Sequence, residues 1–340
     1  MRIIYWFIIF FLFSSFTLFS QVDPQITLFP WLQPTYNPGA MGEKDNHLNF
    51  TGILRQSEML MSVPKEDSNN EKKKVTPVDG QLILLHIDSY IKQIKGAVGV
   101  MFINDKRGEF SNSGFRLGYA AKLRVYGGKL GIGVQLGFLN KKQQGNYHPN
   151  QSGDQTVPTQ AVSFLDFDMN LGLHYAAPTW YVGVSCTNLL KGIRVSGDGK
   201  SILGSRQLYF SGGYIWNLKT STPWTIEPSI LVHSEFATWH LQVMALARYN
   251  GLLWFGVSYH LHDGIAAILG ALPFYNNSNV YLKGMEIGLA YTFGSKATNY
   301  IAKGGSWGDF ELLIRYGFNF YKEKILTGYG SSRHLYKNQY

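Results

Sequence analysis

From Leu165 to Tyr175 the chain alternates without a break. Leu165, Phe167, Met169, Leu171, Leu173 and Tyr175 interleave with Asp166, Asp168, Asn170, Gly172 and His174. Successive side chains of a strand point to opposite faces, so this segment has one apolar face and one wet face. The same two-faced pattern recurs along most of the chain, with Tyr, Phe and Trp ringing the apolar side. A wall of that kind, closed on itself, leaves no backbone group unpaired in lipid. The fold class expected is therefore all-β: a transmembrane antiparallel up-and-down β-barrel.

The amino-terminal end sets the compartment. Met1-Arg2, an apolar run from Ile3 to Phe19 and the small residue Ser20 read as a secretory signal peptide over 1–20, with the mature chain beginning near Gln21. The run is short for a spanning helix, and no second long apolar run follows. No Cys follows it either, which argues against a lipid anchor. The single cysteine, Cys186, has no partner for an intramolecular disulfide and reads as a small buried hydrophobe.

Aromatic residues make up 15% of the 340 residues and charged residues 16%. Soluble domains carry charge on about a quarter of their residues, so the balance suits a lipid-facing surface. The net charge of +9 is scattered over Lys72 to Lys74, Lys141-Lys142 and the tail. An exported chain does not meet the genome, and nucleic acid is discounted as a partner.

Period-two segments separated by turn residues fall at 47–56, 80–90, 94–104, 114–126, 129–140, 163–176, 179–187, 205–218, 223–232, 236–248, 251–261, 265–273, 280–293 and 308–320. That makes about fourteen strands, each near the length a tilted strand needs to cross a bilayer. Alternation is blurred in the first two and in 265–273. Of the seven connections on one side, 57–79, 105–113, 141–162, 188–204 and 294–307 are long and 233–235 and 262–264 short, whereas every one of the intervening set at Gln93, Gly127-Gly128, Ala177-Pro178, Lys219 to Ser221, Asn250 and Asn276 to Asn279 is short. Bacterial barrels show this asymmetry, with the long set facing outward. At Gly127-Gly128 both residues are expected at positive φ in a tight hairpin. With an even number of strands, both the lead-in 21–46 and the polar tail 321–340 are expected on the periplasmic side of the barrel, 47–320.

A charge on the lipid face costs about 2–4 kcal/mol at the midplane, so the charged set must look inward. It comprises Arg116, Lys122, Arg124, Asp166, Asp168, His240, Arg248, Glu286, Glu311 and Arg315. These residues can pair with one another or with water, and such filling outweighs a specific solute path. Inward-facing Trp254, Leu313, Met244 and Leu246 are bulky and apolar, which favours a blocked lumen over an open one.

Chemistry is sparse. There is no phosphate-binding Gly-rich loop, GxSxG elbow or paired-Cys motif. His260 and His262 share a face, but only Asp263 stands near as a third ligand, and wall or rim residues are the simpler reading. Asp166 and Asp168 also share a face, without any sign of the closed pocket and unequal surroundings an acid/base pair requires. No catalytic, cofactor or metal site is expected, and an enzyme is the least favoured class.

With these residues in view, the chain resembles the PorP/SprF family of outer-membrane proteins of the Bacteroidetes type IX secretion and gliding system. The likeness begins with Asp23-Pro24-Gln25 and Tyr36-Asn37-Pro38-Gly39, and continues from Leu173-His174-Tyr175 to Asn188-Leu189-Leu190. It includes Gly212-Gly213-Tyr214, Pro228-Ser229-Ile230-Leu231, the run Trp254 to Tyr259 with Gly270, and Glu286 to Phe293. It spans nearly the whole mature chain to Phe320. His260, Gly284-Met285 and the tail depart from the family pattern.

The resemblance implies a non-enzymatic barrel of the outer membrane that works by docking. Outward loops would meet an exported surface protein, while 21–46 and 321–340 would meet periplasmic machine proteins; no cofactor is implied. The alternative is an outer-membrane channel for small polar solutes, since about fourteen strands can enclose a lumen unless loops or the lead-in plug it.

Overall fold

The computed structural model describes residues 25–43, 47–57, 80–108, 110–143, 161–190, 193–196, 206–218, 223–236, 238–261, 264–274, 284–294 and 308–319. Residues 1–20, read above as a signal peptide, the connection 58–79, the tail, His262, Asp263 and Asn276 to Asn279 lie outside the described residues, as does most of the connections at 141–162, 188–204 and 294–307.

The strands are β1 (His47–Ser57), β2 (Gly80–Ile91), β3 (Gly96–Arg107), β4 (Phe110–Val125), β5 (Gly128–Gln143), β6 (Val162–Ala176), β7 (Trp180–Thr187), β8 (Ile193–Ser196), β9 (Gln207–Tyr214), β10 (Trp216–Asn217), β11 (Trp224–Ser234), β12 (Trp239–Tyr249), β13 (Leu253–His260), β14 (Gly264–Ala271), β15 (Met285–Gly294) and β16 (Asp309–Asn319). Every pairing is antiparallel. β16 returns to β1, and β9 passes directly to β11, which closes a ring of 14 strands. β10 prolongs β9 along β11, and β8 leaves the ring to pair with β6. Each expected period-two segment lies on a ring strand.

Lipid sets the outer face. Phe115, Leu117, Ile132, Leu136, Leu173, Phe255, Val257 and Leu269 are exposed on it, as an apolar band requires. At the rim of short turns the aromatic residues gather into a girdle: Tyr175 packs against Trp180 at 5.1 Å, and Trp224 against Tyr249 at 4.8 Å. Cys186 is half-buried, not fully buried, on the outward register of β7.

Two local expectations change. The segment 105–113 is not a long loop, because Asp105↔Asn112, Lys106↔Ser111 and Arg107↔Phe110 continue the β3–β4 ladder. Polar side chains there rise above the lipid band, where strand pairing persists without an apolar face. In the β4–β5 hairpin the positive φ values fall on Tyr126 (46°) and Gly127 (78°), not on Gly127-Gly128. The register Val125↔Gly128 leaves those two residues as the turn, and Tyr126 pays the left-handed penalty at a fully exposed site.

The wall is uneven. β4 and β5 have 16 residues each, whereas β13 and β14 have 8. At about 3.3 Å per residue these run roughly 53 Å and 26 Å along the strand. The tall wall of β4 to β6 therefore rises past its neighbours on the loop side.

The largest departure concerns the lead-in. Residues 25–43, expected on the periplasmic side, are folded inside the ring as two short 3-10 turns, Phe29–Trp31 and Pro38–Ala40, around one helical turn, α1 (Gln33–Tyr36). Pro30, Pro34 and Pro38 sit at the starts of these elements, where a missing N–H costs nothing. Leu28, Phe29, Leu32 and Met41 are fully buried. Apolar contacts of Leu28, Phe29, Trp31 and Leu32 with the lumen wall hold the segment there.

Candidate lumen plug and its docking wall

The lead-in crosses the lumen from the loop rim to the turn rim, and three sets of wall residues hold it. At the loop end, the Glu311 carboxylate accepts from Thr27 N at 2.8 Å and Leu28 N at 3.1 Å. Arg55 donates to the Gln25 carbonyl and pairs with Asp309. Gln242 Nε2 donates to the carbonyls of Thr27 at 2.9 Å and Ile26 at 3.3 Å. Each is a charged or amide side chain satisfying backbone that forms no regular ladder.

The middle is apolar. Leu28, Phe29, Trp31 and Leu32 pack with Ile53, Leu84, Met244, Leu246, Trp254, Ile268 and Leu313. The Trp31 and Trp254 rings stack with centroids 4.5 Å apart. Trp254, Leu313, Met244 and Leu246 do fill the interior, and what they fill against is the chain's own lead-in. This half of the lumen explains the blurred alternation of the first two segments and of 265–273, since Ile53, Leu82, Leu84 and Ile268 put apolar side chains on the inward face as well.

At the turn end the wall side chains are polar or reduced to glycine. Gln135 Nε2 donates to Pro34 O at 3.0 Å, Ser185 Oγ to Tyr36 O at 2.7 Å, and Asn37 Nδ2 to Leu173 O at 2.9 Å. Lys122 Nζ donates to Gly39 O at 2.8 Å and Lys129 Nζ to Glu43 O at 3.0 Å. Gly42 N donates to Asp88 Oδ2 at 2.5 Å, with His86 Nδ1 3.3 Å from the other carboxylate oxygen. Asn37 also caps the second 3-10 turn, accepting from Gly39 N at 3.0 Å. The backbone of Asn37-Pro38-Gly39 lies directly on glycines of β5 and β6: a Cβ at Gly172 would overlap Asn37 Oδ1, and one at Gly133 would overlap the Pro38 carbonyl.

The charged residues read from the sequence fall into separate groups. Glu311 and Lys122 bind the lead-in backbone. Asp166 is buried, with Lys141 Nζ 3.3 Å from its Oδ2, and Asp168 accepts from Met169 N at 2.7 Å and Leu190 N at 3.1 Å. The two aspartates are thus engaged with different partners. Arg248 joins Glu227 at 2.9 Å and Glu286 at 3.3 Å, and Glu286 lies 3.9 Å from Arg315. Arg124 follows the inward register of β4 but is exposed at the turn rim. Arg116 and His240 line a cavity beside the lead-in.

Sequence reasoning missed Glu227, Arg55, Asp88 and Gln135. Glu227 sits beside Pro228, which obscures the alternation of its strand, although Thr225, Glu227 and Ser229 keep the inward period. His260 is buried in the lumen wall, and its proposed neighbours His262 and Asp263 lie outside the described residues. Among the described residues no group of three His, Cys, Asp or Glu side chains comes together.

Residues 18–316 match the family described as type IX secretion system membrane protein PorP/SprF. No curated protein matches. Among solved structures, the chain is similar to the Pseudomonas putida toluene transporter TodX, with a TM-score of 0.50 and 14% identity over 85% of this chain and 93% of that one. The Ralstonia pickettii toluene transporter TbuX gives 0.49 and 10%, again over 85% and 93%. A mutant Rh. blastica porin gives 0.31 and 9%, over 80% of this chain and 100% of that one. At such identities the likeness is one of fold alone, an outer-membrane barrel.

Proposed function

The chain belongs to the PorP/SprF family of type IX secretion system membrane proteins, and from that premise we propose that it is a non-enzymatic docking barrel of the bacterial outer membrane. In this role it anchors or helps to secrete particular surface proteins, including adhesins of gliding motility. The observation that carries this reading is the lumen, which is filled by residues 25–43 and gripped near both rims by Glu311, Gln242, Lys122 and Asp88. A barrel sealed by its own chain offers rims and loops to partners and no ready aqueous path through the middle.

The long connections on one rim are the surface proposed for an exported protein. β1 begins and β16 ends at the opposite rim, and the tail 321–340 is proposed to meet periplasmic components of the machine. The lead-in, by contrast, is consumed as internal packing.

The test is affinity purification of the tagged full chain from native outer membranes after mild cross-linking, with partners identified by mass spectrometry. Recovery of type IX machine components or a large secreted surface protein is the expected result. Recovery of the barrel alone would overturn the docking role.

A further inference from the structure

One side of the lead-in does not close against the wall. A cavity of about 80 Å³ remains between it and two groups of strands, β2 to β4 and β7 to β12. Phe29 from the lead-in and Leu84, Ile103 and Leu231 from the barrel make much of its lining apolar. Arg116, Thr187 and His240 supply polar groups.

Arg116 is only 9% exposed. Among the described residues it donates no hydrogen bond and enters no ion pair. Asp168 acts on it only at longer range, its Oδ1 accepting from two backbone N–H groups. A guanidinium largely withdrawn from bulk water with no anion in contact is unfavourable, because its donors go unpaired and Asp168 offsets its charge only from a distance. Two further lining groups are idle: Thr187 Oγ1 is buried with no hydrogen-bond partner, and neither nitrogen of His240 has one.

We infer that this cavity is a binding site for a short-chain monocarboxylate, whose carboxylate pairs with Arg116 and whose carbon chain lies against Leu84, Ile103, Leu231 and Phe29. A planar guanidinium engages a carboxylate through two parallel N–H donors, and Thr187 offers a hydroxyl donor to the same cavity. Size fixes the class. An apolar cavity of about 150 Å³ holds a six-carbon benzene ring, so a cavity about half that volume takes an acid of roughly three carbons. An inorganic anion would satisfy Arg116 but leave the apolar lining facing water. A neutral hydrocarbon would do the reverse.

The experiment uses the full chain in a neutral maltoside detergent, with sodium propionate as probe and propionamide as its uncharged isostere, read by saturation-transfer NMR titration. Folding of each variant is checked by its heat-modifiable gel mobility. Saturable binding of propionate is expected, with propionamide at least tenfold weaker. Arg116→Gln should abolish that preference. Leu84→Trp, which keeps the charge but fills the space, should remove binding of both. Equal affinity for propionate and propionamide in the intact protein would overturn the assignment, as would no propionate binding, or displacement of propionate by chloride or phosphate at matching concentration.

Discussion

Replacing Trp31 by alanine removes the largest apolar side chain that the lead-in presents to the wall. Trp31 is 7% exposed, stacks on Trp254 at 4.5 Å and shares a cluster with Leu246, Ile268 and Leu313. Truncating a buried Trp to Ala costs about 3–5 kcal/mol, made up of lost transfer free energy and an unfilled cavity. If the lead-in opens as a unit separate from the barrel, that loss appears in its local opening equilibrium. At about 1.4 kcal/mol per factor of ten, amide exchange there should accelerate by roughly 10² to 10³·⁵. The reporters are the N–H groups of Thr27, Leu28, Leu32, Thr35 and Gly42, all hydrogen-bonded in the folded state. Hydrogen-exchange mass spectrometry should show this change within 25–43 while peptides from β4 and β5 keep their protection. Equal acceleration in the strands would mean that the lead-in has no stability of its own. An unchanged lead-in would mean that the apolar cluster does not hold it.

Other substitutions separate the remaining contacts. Glu311→Leu leaves the Thr27 and Leu28 N–H groups buried and unpaired, at about 1–3 kcal/mol each, so exchange should quicken first around residues 26–29, with Glu311→Gln milder because one acceptor survives. Gly172→Val puts a side chain where Asn37 Oδ1 lies, and limited proteolysis should then cut the lead-in of a barrel that remains heat-modifiable. Arg248→Ala strands Glu227 and Glu286 without their common cation; loss of one partner of a buried pair costs about 3–5 kcal/mol, and the melting temperature in detergent should fall clearly below that of Arg124→Ala at the exposed rim.

The barrel was legible because lipid imposes one strong rule, an apolar outer face at every second residue. In Leu165 to Tyr175 and in β5 nothing else competes with that rule. The rule weakens in β1, β2 and β14, where Ile53, Leu84 and Ile268 face inward to meet the lead-in, so both faces of a strand read as apolar. The plug itself is hidden for a different reason. Its Pro-punctuated backbone has no period, and its seat is made of glycines on neighbouring strands, Gly131 and Gly133 on β5 and Gly172 on β6. A glycine on an inward register shows that space exists without showing what occupies it. The inward charges were readable as a set, but their division was not: Glu311 binds backbone, Arg248 bridges two carboxylates, and Arg116 stands apart. Such partnerships depend on the register between neighbouring strands and on where the lead-in is seated, information that a period of two does not contain.

The central claim is that the chain seals its own lumen and acts through its rims. Planar-bilayer recording of the intact purified protein, beside a chain lacking 25–43, tests it most directly. Silence from the intact protein and discrete conductance steps from the deleted one are predicted. Steady conductance from the intact protein would contradict the account and promote a channel for small polar solutes in its place.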